Sequence, residues 1–593
     1  MPDTDLVGLR KQAVNLVADC FSESSFAPLP EEDIPECGTL QFDPNVAAWK
    51  GKIDCEGEWQ EVIIALKSTF PDTIPRVYLI NPPKLIPHIT ENRHNHICAI
   101  NESEVFINYE KPVRIVLDTL QAASRVISSG LKDRNIEEFD TEFQAYWRQG
   151  ANQRWLSLLS PGGNPRQVWV LHFKPEIGNV SCLAAESKEV GKKWIEQSGR
   201  QLEGVPRNAL YLPLSQPIRP PFPETNSEVN RALRSLDGNE PLYLYQFLES
   251  NNKKDTHVIC SFAVKEYHTF CGWIHTRPKS SGKRPLCQGF RDHKIPGKVQ
   301  LTSCFGSRKI IRATVDRVDA DRLQARVGNN QASFLSVKRV LVAGCGSVGS
   351  KVALNLALSG VTSLTLVDNE LLSTENVARH ICPMGMVGTK KVDCVAQIIE
   401  KHMPHVEIER HHQDLYEIIA KEPGILAQHD LVISATGNRN LNLRLNEVHT
   451  TTSNDFSVLY AWTEVFGYAS HAILIVPGNG GCLHCMLGRD YDFKHRVIML
   501  SGSDVLMQEA GCGSTFLPYG AIDADMAACI ASRLALSHLL GEVTRSSRWV
   551  YLGDLDTAKA QNMPISAQYQ DGGSNRLIKY SLHSSLDCNV CHQ

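Results

Sequence analysis

Apolar positions in this chain come in short runs broken by glycine, proline and charge, and one stretch orders the rest. Val340 to Ala343 are all apolar, Gly344, Gly346 and Gly349 follow, and apolar residues recur with helical character from Val352 to Leu358. A second run, Leu364 to Val367, ends on Asp368. The pattern predicts strand, tight turn, helix and strand, the opening of a parallel α/β sheet. His429 to Asn438 predicts the next parallel strand with its turn, and the apolar segment Gly520 to Leu540 a helix.

Toward the N-terminus, Leu6, Leu9, Ala13, Val14, Val17 and Ala18 lie near helical spacing and predict a helix over Asp5 to Phe21. Trp59 to Ala65 and Arg76 to Ile80 predict strands on either side of the proline-bounded turn from Phe70 to Pro75, and Val113 to Ile127 a helix over the sheet. Residues 1–150 thus form an α+β domain. A boundary is expected in the polar, tryptophan-dotted stretch 140–166. Beyond it, Val168 to Phe173, Tyr243 to Phe247 and Val258 to Val264 predict strands. Pro213, Pro217, Pro220, Pro221 and Pro223 exclude helix or central strand between them. Residues 166–300 read as a linker or small β-rich domain without legible chemistry, and the α/β domain fills 315–593.

Composition sets limits. A chain of 593 residues is too long for one core. With 42% hydrophobic and 21% charged residues and a net charge of −4, neither disorder nor general affinity for nucleic acid is expected. The basic run from Arg277 to Lys298, broken by glycine and proline, reads as a solvated connector. No uninterrupted apolar stretch reaches the ~20 residues of a membrane span, and the charged N-terminus lacks the pattern of a signal peptide. A soluble, cytoplasmic protein with no membrane or nucleic-acid partner is expected, with its 18 cysteines reduced.

The glycine turn suits phosphate, because small residues admit it to backbone N–H groups at a helix start, and Asp368 stands where a carboxylate meets a ribose hydroxyl. Glu370, Asn376, Arg379 and Lys391 follow, a polar series for which a dehydrogenase has no use and which can clamp a triphosphate. From about Ser336 to the C-terminus this series resembles the ThiF/MoeB family and the adenylation domains of ubiquitin-activating enzymes. The resemblance implies a Rossmann-like adenylation domain that takes ATP and Mg²⁺, with Arg379 and Lys391 as phosphate ligands. It also implies a homodimer in which Arg322 or Arg326 of the lead-in segment reaches the γ-phosphate in the partner. Where the family places a Mg²⁺-ligating Asp this chain has Gly437, which leaves the ion to Asp368 or Glu370 with waters.

The cysteines sort by spacing. Cys482 with Cys485 and Cys588 with Cys591 are two C-x-x-C pairs, able together to offer four sulfurs to a structural zinc ion, and the same family carries a similar pair of pairs. Cys512, bracketed by Gly511 and Gly513 before the apolar helix, is then the candidate for a first thioester, with Cys345, Cys382 and Cys394 as weaker alternatives. Near the N-terminus His88, His94, His96 and Cys98 crowd one loop, which reads first as the setting of a reactive thiol, with a zinc site or a half-buried loop holding an inert Cys as the alternatives. The order of elements around it is similar to ubiquitin-conjugating enzymes. That likeness makes Cys98 a second thioester carrier, with Asn92 or Asn95 holding the oxyanion. The match to the family's H-P-N turn, through Pro87-His88-Ile89 and His96-Ile97-Cys98, is imperfect and the loop longer.

Taken whole, the order of domains resembles the bacterial ubiquitin-transferase-like fusions found with cGAS-like nucleotidyltransferases in CBASS antiphage operons. The resemblance implies ATP-dependent activation of the nucleotidyltransferase's C-terminal tail and its relay through Cys512 and Cys98 to an unidentified amine. A sulfur-carrier or peptide adenylyltransferase with an N-terminal substrate-binding domain, and a nucleotide-sensing scaffold, are the alternatives.

Overall fold

The computed structural model describes residues 6–35, 44–90, 94–174, 180–236, 238–251, 255–276, 306–325, 331–451, 456–500, 507–508 and 515–591. Arg326, Asn92, Cys512 and the basic run from Arg277 to Lys298 lie outside them. The chain divides into two compact units, Met1–Lys188 with Gly204–Arg317, and Glu189–Glu203 with Val318–Gln593.

The first unit opens on a six-stranded antiparallel sheet in the order Ala27–Pro28, Asn45–Cys55, Glu58–Lys67, Arg76–Leu79, His96–Ile97, Ile89–Thr90. Helices Leu6–Ser22 and Pro112–Leu131 bury Ala13, Val17 and Phe21, and Val116, Leu120, Ala123 and Ile127, against Trp49, Val62, Ile64 and Leu66. Pro112 begins its helix at a position where its missing N–H costs nothing. Both expected helices and both expected strands are present. The longest strand of this sheet, Asn45–Cys55, is not among the expected ones; from Trp49 to Cys55 its buried residues alternate with exposed Lys50, Lys52 and Asp54.

The middle is a closed seven-stranded barrel in the order Leu202–Pro213, Thr256–Val264, Tyr267–His275, Ile311–Arg317, Ala151–Ser157, Val180–Ala185, Arg166–Phe173. It starts before and ends after the expected range 166–300. The expected boundary at 140–166 is in fact packed structure. Trp155 is in the barrel core, and Trp147, on helix Phe143–Gln149, is fully buried and donates its indole N–H to the Ala313 carbonyl at 2.9 Å. Tyr243 to Phe247 is not a strand but part of helix Glu240–Ser250. Pro241 sits in its first turn, and Leu244 and Leu248, four apart, are the buried face.

The C-terminal unit is built on an eight-stranded sheet ordered Glu407–His411, Ser363–Val367, Arg339–Ala343, Leu431–Ser434, Ser457–Thr463, Ala469–Ile475, Ser547–Leu552, Arg576–Ser581. The first five strands are parallel and the last three antiparallel. Strand Arg339–Ala343 is central, and the chain winds outward from it in both directions. Ligands in such sheets bind beyond the carboxyl ends of the strands at that reversal. Helices Gly349–Leu358, Lys391–His402 and Ala521–Leu539 close one face through Val352, Leu356, Val395, Ile399, Ala527 and Ala531.

Candidate active site

The strand Arg339–Ala343 leads into the glycine turn. Gly344 has φ +87°, and a Cβ there would lie 2.8 Å from the Ala435 and Thr436 backbone. At Gly349 a Cβ would stand 1.8 Å from the Gly344 carbonyl oxygen, so this glycine lets the helix close on the turn. Gly346, with nothing within 4 Å of an added Cβ, faces open space. Asp368, at the end of the neighbouring strand, accepts the Cys345 N–H at 2.7 Å and the Glu370 N–H at 2.8 Å. Burial raises its carboxyl above the usual range, against the downward pull of these amides and of Lys391. His380 Nε2–H donates to the Cys345 carbonyl at 2.7 Å and so ties the segment after Arg379 to the turn.

A cavity of about 850 Å³ opens here, lined by Gly344, Gly346, Asp368, Glu370, Asn376, Arg379 and Lys391. Of the residues expected to meet a nucleotide, Gly349 lies behind the turn and does not line it. Lys391, 6% exposed, starts helix Lys391–His402 and pairs with Glu370. The Arg379 guanidinium lies 4.7 Å from the Tyr519 ring centroid, and Tyr519 Oη is 2.7 Å from Ser347 Oγ in the turn. Asn376 caps its own short helix, accepting from Ser373 through Oδ1. Two buried or stacked cations, backbone N–H groups and the Asp368 carboxylate make a polar lining that fits a nucleoside triphosphate.

Sequence reading missed Gln413, Asp414, Thr436, Asn438, Trp462 and Tyr519, which also line the cavity. All but Tyr519 lie at or just past the carboxyl ends of sheet strands, which is the signal that finds them. Gly437 occupies the left-handed region at φ +68°. Glu464, another lining carboxylate, is already engaged by His471 at 2.8 Å and by the Val497 and Ile498 amides at 2.9 and 2.8 Å. Arg322 is exposed on helix Ala320–Gln324. Cys345, Cys382 and Cys394 are buried with their thiols pushed up chiefly by burial, which makes them poor nucleophiles.

Cys482, Cys485, Cys588 and Cys591 meet as expected, with all four sulfurs within 4.8 Å of one another. Separations of 3.9 Å (Cys482 to Cys485), 3.6 Å (Cys482 to Cys588) and 3.5 Å (Cys485 to Cys591) bracket the ~3.8 Å edge of a tetrahedron with zinc–sulfur bonds of about 2.3 Å. The Ser585 N–H donates to Cys485 Sγ at 3.4 Å, as amides do around thiolate ligands. Among the described residues this is the only such metal-suited group, and the crowd of His88, His94, His96 and Cys98 does not form one.

In the N-terminal unit Cys98 is exposed, with its Sγ 4.0 Å from His96 Nδ1. Its N–H donates to the His88 carbonyl at 2.8 Å. His88, His94 and Asn95 all take positive φ, so the loop is sharply folded.

Comparison with known proteins matches these units separately. Residues 320–552 match the ThiF family and residues 46–155 the prokaryotic E2 family B. This chain joins a ThiF domain to an E2 domain. The ATP-dependent ubiquitin transferase-like protein Cap2 of Vibrio cholerae is 24% identical over 79% of this chain and 83% of its own length. Its namesake in Pseudomonas aeruginosa is 22% identical over 80% and 84%. The E. coli MccB crystal structure with ATP is 20% identical over 44% of this chain and 68% of that one, with a TM-score of 0.33, and carries no weight here. The mixed α/β architecture with its C-terminal ThiF domain and N-terminal E2 domain is as expected, and the chain is an enzyme. Among the described residues no helix is long and apolar enough to cross a membrane.

Proposed function

We propose that this chain uses ATP to activate the carboxyl terminus of a partner protein and passes the acyl group through two cysteine thioesters to an amine. The observation that carries the reading is the presence, in one chain, of a cation-lined cavity at the sheet's reversal and an exposed cysteine on an E2-domain loop. In the cavity Arg379, Lys391 and the turn's N–H groups balance phosphate charge while a carboxylate oxygen attacks the α-phosphorus and the bond to pyrophosphate breaks. Mg²⁺, when bound, shares that neutralisation, and Asp368, Glu370 and Asp414 are the cavity carboxylates that suit it in place of an Asp at Gly437. The Cys512 thiolate then attacks the acyl carbon and AMP departs. Cys98 takes the acyl group with release of the Cys512 thiol, and a neutral lysine amine takes it from Cys98, giving an amide and a free thiol, the proton lost by the nitrogen ending on the sulfur.

The C-terminal tail of a cGAS-like nucleotidyltransferase is the modifier suggested by the likeness to CBASS fusions. A homodimer, with Arg322 or Arg326 entering the partner's cavity, and a cytoplasmic location complete the reading. The four cysteines hold zinc and pin the C-terminal tail to the ThiF domain.

The test incubates wild type, Cys98→Ala and Cys512→Ala with ATP, Mg²⁺ and such a nucleotidyltransferase, resolved on non-reducing gels. Thiol-sensitive adducts are expected in wild type, on Cys512 alone in Cys98→Ala, and on neither cysteine in Cys512→Ala. Conjugates that survive in Cys98→Ala but not in Cys512→Ala favour the sulfur-carrier or peptide adenylyltransferase instead. Absence of ATP–pyrophosphate exchange favours the nucleotide-sensing scaffold.

A further inference from the structure

Behind Cys98 lies a cluster of charged and hydroxyl groups that the relay does not use. Because the Cys98 N–H donates to the His88 carbonyl at 2.8 Å, whatever fixes His88 fixes the backbone that carries the thiol. His88 itself has φ +66°, a conformation that costs a residue with a side chain and persists where its surroundings over-determine it. Those surroundings come from some 50 residues downstream. Glu138 meets His88 Nε2 at 2.8 Å and Glu142 meets Nδ1 at 3.0 Å. Tyr146 Oη accepts the His88 N–H at 2.5 Å and donates to Glu142 at 2.8 Å. Backbone amide, phenol, carboxylate and imidazole thus close a ring of hydrogen bonds.

The ring is anchored. Tyr146 is buried, with its ring centroid 5.3 Å from that of Phe139, and its helix is tied to the barrel by Trp147 on Ala313 and by the Gln144 amide on the Phe270 carbonyl. Asn135 adds a bond to Glu138 at 2.6 Å. The loop that carries the thiol therefore takes its order from the helix that joins the E2 sheet to the barrel.

We infer that Glu142 and Tyr146 are positioning residues for the Cys98 thioester: they clamp His88 and, through its carbonyl, hold the Cys98 backbone where an incoming acyl carbon is met. The inference rests on the reading that Cys98 carries a thioester. Neither Glu142 nor Tyr146 is among the residues that line the nucleotide cavity, so adenylation serves as the control.

The test uses the full chain. Amide hydrogen exchange at Cys98, followed by mass spectrometry, reports the bond to His88 directly. Tyr146→Phe and Glu142→Gln are each expected to speed it about tenfold, as the loss of one hydrogen bond in a charged network does, with the amides of Asn45–Cys55 and Glu58–Lys67 unchanged. Transfer of a cGAS-like nucleotidyltransferase tail from Cys512 to Cys98 is expected to slow about tenfold in the same variants, while ATP–pyrophosphate exchange holds. The titratable groups facing His88 are Glu138, Glu142 and Tyr146, and the Cys98 thiol lies within electrostatic reach of Tyr146. In wild type the transfer rate is expected to fall as pH rises and the imidazole loses its proton, and in Glu142→Gln that fall moves to lower pH, a change that a merely structural residue does not produce. Unchanged Cys98 exchange in both variants, or faster exchange with unchanged transfer, overturns the inference and leaves the proposed function standing. Conjugates that persist in Cys98→Ala overturn both.

Discussion

The nucleotide cavity and the Cys98 loop put reactive groups in place by opposite means. In the cavity, regular elements do the placing. Lys391 opens a helix, Asp368 directly follows the strand Ser363–Val367 beside the central one, and the turn between strand and helix supplies the N–H groups. Cys98 has no such support, because only the two-residue strands Ile89–Thr90 and His96–Ile97 lie beside it and the thiol must stay exposed to meet an acyl donor. Its order is imported from Glu138, Glu142 and Tyr146. A charge can be fixed by the scaffold that buries it, whereas an accessible nucleophile needs a buttress on its protected side.

Substitutions sharpen that contrast, and the largest effect is expected at the thiol. Cys98→Ala should abolish conjugates while ATP–pyrophosphate exchange stays at the wild-type level. Lys391→Ala should slow that exchange by about 10²–10³-fold, the usual cost of losing a charge-stabilising group, and it also strands Glu370. Cys588→Ser, or chelation, should cost about 2–5 kcal/mol as a cross-link between distant segments is lost. Calorimetry should show the ThiF unit melting about 2–4 °C lower for each kcal/mol. Gly344→Ala should cost about 1–3 kcal/mol, from strain at its positive φ and the clash with Ala435, and should weaken ATP binding measured by titration calorimetry.

The smallest effect is the pH dependence of the clamp. Glu142 first, against burial and with Glu138 adding to it, raises the His88 pKa above its ordinary 6.5. Its contribution is complete below 6.5 and is lost as pH rises through the raised value. Burial raises Glu142, but the bonds from His88 and Tyr146 outweigh it and hold its pKa below the ordinary 4.5. Glu142 therefore contributes fully above 4.5 and loses that contribution as pH falls through the lowered value. Cys98 amide exchange, corrected for its intrinsic pH dependence, should be slowest between these limits and quicken on either side.

Much of the ThiF domain was legible because its residues act locally. The glycine turn, the strand ending on Asp368, the Lys391 helix start and the C-x-x-C pairs each carry their meaning within a few positions. Arg379 is reached through the family resemblance, three positions after Asn376, but Tyr519, which stacks on it, lies 140 residues away and gives no local signal. The barrel was harder to read, since its tryptophans sit among polar residues and resemble a linker until the strands close around them. Residues 243–247 satisfy a β pattern as well as a helical one, because aromatic and leucine residues alternate there, and burial of Leu244 and Leu248 selects the helix. The clamp behind Cys98 was invisible for a similar reason. His88 reads as one more loop histidine until Glu138, Glu142 and Tyr146 are folded against it.

Intact-mass and peptide-mapping spectrometry of the full chain, after a single turnover with ATP, Mg²⁺ and a cGAS-like nucleotidyltransferase, tests the central claim most directly. The account expects the partner's C-terminus on Cys98 as an adduct that thiol reagents remove and that Lys391→Ala prevents. An adduct that forms without ATP, or turnover that never loads Cys98, contradicts it.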